Sequence, residues 1–362
     1  MKLVERPDPD AARLASLEGA NYGDVVEVSC VGIHWERTKE QEMNDTTGAA
    51  GMGRASHIAG FTLRPLRPDD ISVATGLLML ASATGVSHHL ERQLAAAAAG
   101  ERGYAFVAER DGAVVGSALL SSEPAFPGSV ITLISVSEPA RKSGAASALA
   151  DLLDERLARE TLPASCRLRD DLFEGRRFAE RHGFTLRGHS MGWSIDLAAR
   201  EETLETSARE ARQAAGVRVR RADLPQEIGR VLECAARCMP GLPAEQQEAD
   251  PEQGRDYFPG NAIVLLAESV TPGGERLALG LTAVAPQVDG DAWYTLFTGV
   301  DPARRRVGIA RALKTESFLQ ARRAGAQSVL THNHDTNDAI IGLNTAFGMQ
   351  PAPGYWELQR PV

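Results

Sequence analysis

Thr298-Gly299-Val300-Asp301-Pro302-Ala303-Arg304-Arg305-Arg306-Val307-Gly308-Ile309-Ala310-Arg311-Ala312-Leu313-Lys314 is the stretch that decides the fold. An apolar, aromatic run from Ala292 to Phe297 leads into it, and a Pro-free helical pattern from Ile309 to about Ala324 leaves it. The order is strand, tight basic turn, helix. Such a turn aims several backbone N–H groups and the positive end of a helix dipole at one point, a seat for a phosphate or pyrophosphate. Gly308 lets the backbone approach closely, and small Ala310 keeps the first helical turn clear of a ligand. A nucleotide P-loop is excluded, because no Gly precedes at the required spacing and no Lys-Ser/Thr follows Gly308.

The same pattern occurs upstream. Val136, Arg141, Gly144, Ala146 and Leu149 precede Val300, Arg305, Gly308, Ala310 and Leu313 by one constant offset, which also separates Gly116 from Gly280. Gly183-Phe184 and Gly348-Met349 differ by one residue more. Matching features in one order at almost one offset mark a tandem duplication. Each half reads strand, two helices, antiparallel strands, strand, basic turn, helix, strand, helix, strand. Residues 61–198 form one unit and 217–362 the other, joined by a charged linker at 199–216 that lacks Trp, Tyr and Phe.

Composition sets limits on function. A chain of 362 residues suits two domains. Its net charge of −9 argues against non-specific nucleic-acid binding and tolerates a cationic small substrate. No apolar run approaches the roughly 18 residues of a membrane span, so a cytoplasmic location is expected. Four cysteines (Cys30, Cys166, Cys234, Cys238) are too few and scattered for a disulfide framework, and Cys234 with Cys238 reads as packing. Residues 1–60 are weakly patterned and expected to be largely disordered. Met43 is a candidate physiological start, with the first 42 residues then an untranslated leader; mass spectrometry of the native protein tests this, and peptides from the Met1 end would refute it.

Arg305-x-x-Gly308-x-Ala310 resembles the Q/R-x-x-G-x-G/A acyl-CoA signature of the GNAT acetyltransferase superfamily, and Val300-x-Pro302 and Leu313 match it as well. Thr331-x-Asn333-x-x-x-Asn337, followed by Asn344-x-x-x-Gly348-Met349, resembles the end of bacterial GNAT domains. The layout is similar to tandem GNAT proteins, a group that includes mycothiol synthase and acyltransferases of secondary metabolism. The implied fold is α/β (α+β), with two GNAT-like domains, each a mixed central sheet flanked by helices.

The resemblance implies that backbone N–H groups of Arg305, Arg306, Val307, Gly308, Ile309 and Ala310 hold a CoA pyrophosphate. Main-chain groups of Phe297, Thr298 and Val300 would pair with the pantetheine arm, beside Asn337. Val136, Arg141, Lys142, Ser143, Gly144, Ala145 and Ala146 are a second possible site. The 217–362 unit keeps Val-x-Pro, three arginines and the Asn, and is expected to be the catalytic copy; the 61–198 unit has Glu138 where Pro would fall and is expected to be degenerate. Where the family often places a thiolate-protonating Tyr, this chain has Asn344, whose amide donates a hydrogen bond but is no useful acid near pH 7. The first-copy counterparts of Asn337 and Asn344 are Leu172 and Ala179.

The implied activity is acyl-CoA-dependent N-acyl transfer of a group other than an aminoacyl group. Its expected form moves acetyl from acetyl-CoA to a small-molecule amine by direct attack, without a metal. The alternative is a non-catalytic acyl-CoA-binding or scaffolding protein. His332-Asn333-His334-Asp335 reads as a strand-to-helix loop in which Asp335 or Thr336 caps the last helix. Tyr294, Thr298 and Tyr355 lie on strands bordering the acceptor pocket, although strand aromatics are more often core. Asp289, Asp291 and Glu268 are either attractors of a cationic acceptor or solvated loop carboxylates, and His88-His89 is expected at the surface. Nothing in the sequence fixes the acceptor, a general base or the oligomeric state.

Overall fold

A computed structural model describes residues 26–28, 56–58, 60–81, 86–122, 129–198, 200–238, 258–270, 274, 276–288 and 290–361. Two three-residue strands come first, β1 (Val26–Val28) and β2 (Ser56–Ile58). Both lie in the segment expected to be disordered, and both are paired into the sheet; the rest of that segment before Gly60, Met43 included, lies outside the described residues.

The first half then runs β3 (Phe61–Pro65), α1 (Ile71–Met79), α2 (His88–Ala99), β4 (Tyr104–Arg110), β5 (Ala113–Ser122), β6 (Val130–Val136), α3 (Ala145–Leu157), β7 (Ala164–Arg169), α4 (Phe173–Arg181) and β8 (Thr185–Asp196). After α5 (Glu201–Ala215) the second half runs β9 (Arg218–Arg221), α6 (Leu224–Cys238), β10 (Ile263–Val270), β11 (Arg276–Pro286), β12 (Ala292–Val300), α7 (Ile309–Arg323), β13 (Ser328–His334), α8 (Asp338–Ala346) and β14 (Gln350–Arg360). Local chemistry explains the boundaries. Asp111 and Gly112 both have positive φ, which closes the β4–β5 hairpin with the twist its strands need. Ile228, Val231, Leu232, Ala235 and Cys238 recur at helical spacing, so α6 buries one stripe against β10, β11 and β12. No helix among the described residues is long and apolar enough to cross a membrane.

Apart from β1, the strands form one sheet in the order β2-β3-β4-β5-β6-β7-β14-β8-β13-β12-β11-β10-β9. From β3 to β9 this order is palindromic when the halves are exchanged. Its centre is crossed over: β14, from the end of the chain, pairs with β7, and β8, from the first half, pairs with β13. Each half thus completes its sheet with the other's last strand. The crossing is close. A Cβ on Gly192 would sit 2.2 Å from the Pro353 carbonyl oxygen, and one on Gly354 2.2 Å from that of Ser190, so neither position accepts a side chain.

The stretch expected as a linker is a 15-residue helix, α5, lying on α7. Leu204, Ala208 and Ala211 bury one face of it, Arg212 pairs with Glu316, and Arg323 reaches Glu201 and Glu205. Glu268, weighed as a loop carboxylate, is 2% exposed and held by Arg220 and Arg230. Arg220 also binds Glu227, whose carboxyl it holds down at about 2. The first half repeats the knot with Arg64, Asp70 and Glu109. Asp70 therefore serves Arg64, and although it stands at the N-cap of α1 its side chain makes no hydrogen bond to that helix.

Candidate functional site

Both basic turns adopt the same backbone. Lys142 and Arg306, at equivalent positions, have φ of 61° and 64°, and Gly144 and Gly308 have 91° and 87°. Two left-handed residues in three turn successive N–H groups to one side and make an anion-binding concavity. A non-glycine residue held left-handed costs about 1 kcal/mol or more, and both halves keep one. The helices that follow, α3 and α7, have no side-chain N-cap, so their leading N–H groups point outward unclaimed by a capping side chain.

The side chains differ. Arg305 folds inward, donating from Nε to the Val300 carbonyl (3.1 Å) and from Nη2 to that of Cys238 (3.1 Å). It clamps the turn to the ends of β12 and α6. A Cβ on Gly308 would sit 3.7 Å from that of Ala215, at the end of α5. In the first half Arg141 and Lys142 are exposed on the rim of a cavity, and a Cβ on Gly144 would meet nothing within 4 Å.

A wedge opens beside each turn. The parallel strands β6 and β7 pair only at Val130↔Ala164 and Ile131↔Ser165, then part from Thr132 onward. The pair β12 and β13 parts after Tyr294↔Leu330. Past the split, the inner edges of β6 and β12 present main-chain groups that β7 and β13 leave unpaired. In the second half β1 fills the gap, running antiparallel to β12 with Val26↔Gly299, Glu27↔Thr298 and Val28↔Phe297. The first-half wedge opens into a cavity of about 960 Å³ that starts at the Arg141–Ala146 turn and continues beneath α4. That volume is in the range of small-molecule and cofactor sites.

Residues 77–184, from α1 to the start of β8, match the model of the acetyltransferase (GNAT) family. Among solved structures, the chain is similar to a tandem GNAT protein from the clavulanic acid biosynthesis pathway, with 16% identity, TM-score 0.61, and 83% of this chain and 98% of that one covered. It shares the tandem GNAT fold. A GCN5-related N-acetyltransferase from Sphaerobacter thermophilus is similar at 18% identity, TM-score 0.55 and coverage of 84% and 96%. A glucosamine N-acetyltransferase region of a fungal multi-domain GH3 β-N-acetylglucosaminidase is similar at 13% identity and TM-score 0.57, covering 85% of this chain and 38% of that one. No curated protein matches the sequence. The GNAT match supports an acyltransferase that uses an acyl-CoA.

In this GNAT frame the sequence-derived residues fall into two groups. Val136, Arg141, Lys142, Gly144 and Ala146 line the first-half cavity, and Ser143 and Ala145 complete its turn; the Ser143 hydroxyl donates to the Ala140 carbonyl. In the second half Phe297, Thr298 and Val300 are buried in the stretch of β12 beside β1, while Arg306, Val307 and Gly308 are exposed. Asn337 caps α8 by accepting from the Ile340 N–H, the role expected of Asp335 or Thr336. Asn344 is fully buried, and its Nδ2 donates to Asn333 Oδ1 at 3.1 Å. His332 and His334 belong to β13 itself, and no metal-holding group of three or more His, Cys, Asp or Glu gathers among the described residues. The His332 Nε2 faces the Pro353 carbonyl at 2.9 Å, so it carries the proton, and Nδ1 accepts from the Tyr294 hydroxyl at 2.9 Å. Tyr355, 4% exposed, packs at a tilt of 47° against the His332 ring. Asp291 is exposed, Asp289 lies outside the described residues, and His88 and His89 are half-buried on α2.

Two first-half features escaped the sequence. His189 Nε2 lies 2.9 Å from Asp170 Oδ2, an imidazole oriented by a carboxylate. Neither residue lines the cavity itself; Asp170 neighbours Asp171, which does, and Arg169 donates its N–H to the carbonyl of Ala81, another lining residue. The pair spans β7 and β8, so no local spacing announces it. Cys166 also lines the cavity, and burial pushes its thiol up to about 12.

Proposed function

We propose that the chain is an acyl-CoA-dependent N-acyltransferase that binds its thioester in the first half and passes the acyl group to a small-molecule amine, acetyl-CoA being the simplest donor. One observation carries the choice of half: the Arg141–Ala146 turn opens into a cavity and a wedge that no strand among the described residues enters, whereas the wedge beside Arg305–Ala310 is taken by β1. This reverses the preference drawn from Val-x-Pro and the three arginines. The GNAT match over 77–184 lies in the same half.

The pyrophosphate sits on the N–H groups of the turn and the first turn of α3, with Arg141 and Lys142 alongside. The pantetheine arm pairs with the open edge of β6, like an added strand. A main-chain N–H of that edge donates to the thioester oxygen as negative charge develops there. The amine enters from the side of Leu80 and Ala81, and His189, steadied by Asp170 behind the cavity wall, takes its proton through a water. The C–N bond forms, the C–S bond breaks, and the CoA thiolate leaves to be protonated by water, since Leu172 and Ala179 offer no acid. Cys166 takes no part as a nucleophile: with its thiol near 12, only about one molecule in 100,000 is thiolate at pH 7. His189→Gln is expected to lower kcat about a hundredfold with CoA affinity unchanged; an unchanged kcat would remove it as the base.

The missing acid favours a second reading, a protein that binds acyl-CoA without turning it over. Thiol release from acetyl-CoA across a panel of primary amines separates the two. Release with one or more amines supports transfer. Silence with every amine, beside a measurable CoA affinity, supports the binding protein.

A further inference from the structure

The first-half cavity runs from the Arg141–Ala146 turn to residues of α4 as far as His182. In the second half the corresponding space is packed: Ile340 and Asn344 of α8 are fully buried, and Phe318 of α7 meets Phe347 edge-on at 5.3 Å. Their first-half counterparts are Gly175, Ala179, Asp154 and His182. Four space-filling side chains are thus replaced by two small ones and a polar pair, with Asp154 and His182 3.8 Å apart. No residue of α4 is buried as a result, although Gly175 brings the helix down so close that a Cβ there would sit 3.0 Å from Leu168. The space beneath is walled by Ala150, Leu153 and Leu157 of α3, Leu168 of β7, and Phe178 and Ala179 of α4. These six side chains are apolar, Arg167, Asp171, Glu174 and Arg181 also border the cavity, and at the far end Arg360 joins Asp154.

We infer that this space holds the acyl chain of a CoA thioester longer than acetyl. The inference rests on the placing of CoA in the first half. A thioester carbon at the base of the wedge has the rejoined strands in front of it, and the open direction is under α4. From Leu172 to Phe178 the helix covers about 9 Å, room for a saturated chain of roughly seven carbons. Asp154, His182 and Arg360 then end the apolar channel and select against longer tails, which would bury a methyl terminus among charged groups.

The test is calorimetric titration of the full chain with CoA and with acetyl-, butyryl-, hexanoyl- and octanoyl-CoA. Affinity is expected to rise with chain length by up to about fourfold per buried methylene, so that hexanoyl- or octanoyl-CoA binds roughly a hundredfold more tightly than acetyl-CoA. Ala179→Phe and, independently, Ala150→Leu fill the channel and should return octanoyl-CoA to the affinity of acetyl-CoA while leaving CoA itself unchanged. A flat chain-length series beside measurable CoA binding overturns the inference and leaves the acyltransferase reading standing; α4 then closes over the space when CoA arrives. Absence of CoA binding overturns both.

Discussion

Replacing Ala146 by Glu tests the seat directly, because its two effects have opposite signs. Ala146 lies in the first turn of α3 and lines the cavity beside the left-handed turn. A carboxylate there would stand about 4 Å from a bound pyrophosphate. Two unit charges at that distance repel by about 4 kcal/mol at the effective dielectric of a protein surface. Solvent at the exposed rim and added salt reduce this to about 2–3 kcal/mol, or roughly 30- to 150-fold in affinity. The same carboxylate is favourable to the free helix by about 0.3–1 kcal/mol, so the melting temperature should hold or rise. Titration with CoA at low and high salt, together with thermal denaturation, reads both. The equivalent Ala310→Glu should leave CoA affinity within about twofold. A Kd within threefold of the parent for Ala146→Glu, with the loss appearing in Ala310→Glu, would show that the thioester sits in the other half.

Other expectations follow from single features. Glu27→Pro removes an N–H and stiffens β1, and a chain begun at Met43 lacks that strand altogether; each should raise the calorimetric stoichiometry for CoA from one toward two, and an unchanged value would mean that β1 does not hold the second wedge shut. Arg220 depresses the Glu227 carboxyl to about 2, so this pair adds stability above about pH 4.5 that is lost as pH falls toward 2. Partial exposure limits the contribution to about 2–3 kcal/mol, and urea midpoints at pH 7 and pH 3 should converge in Arg220→Met; an equal gap in parent and variant would place the acid sensitivity elsewhere. Cys166→Ser should keep turnover within about twofold, and a hundredfold loss would point to an acyl-cysteine intermediate.

The elements, their order and the left-handed backbone of both basic turns are legible in the sequence because each depends on neighbours. Apolar periodicity marked α6, and the glycine of each turn marked the left-handed backbone before α3 and α7. The misses all depend on distant partners. Glu268 looked like a loop carboxylate until Arg220 and Arg230 were brought to it. His189 and Asp170 meet only because β8 returns along the sheet. The expectation that the second half is the catalytic copy rests on its fuller motif, and a motif does not report that β1 lies along the edge of β12. Leu204, Ala208 and Ala211 sketch a narrow apolar stripe in the charged stretch that forms α5, so that helix does carry a local signal.

The crossed centre of the sheet bears on how this chain can change over time. Turning one half onto the other about an axis between β14 and β8 reproduces the strand order, which is the geometry of a two-fold dimer whose subunits have traded their terminal strands. Here one peptide carries both subunits. They cannot drift apart or re-pair with strangers, yet their sequences are free to diverge. A copy in that position can surrender its own ligand and still be retained, because β8 and β14 make each half a structural wall of its twin. Loss of chemistry and loss of fold become separate events.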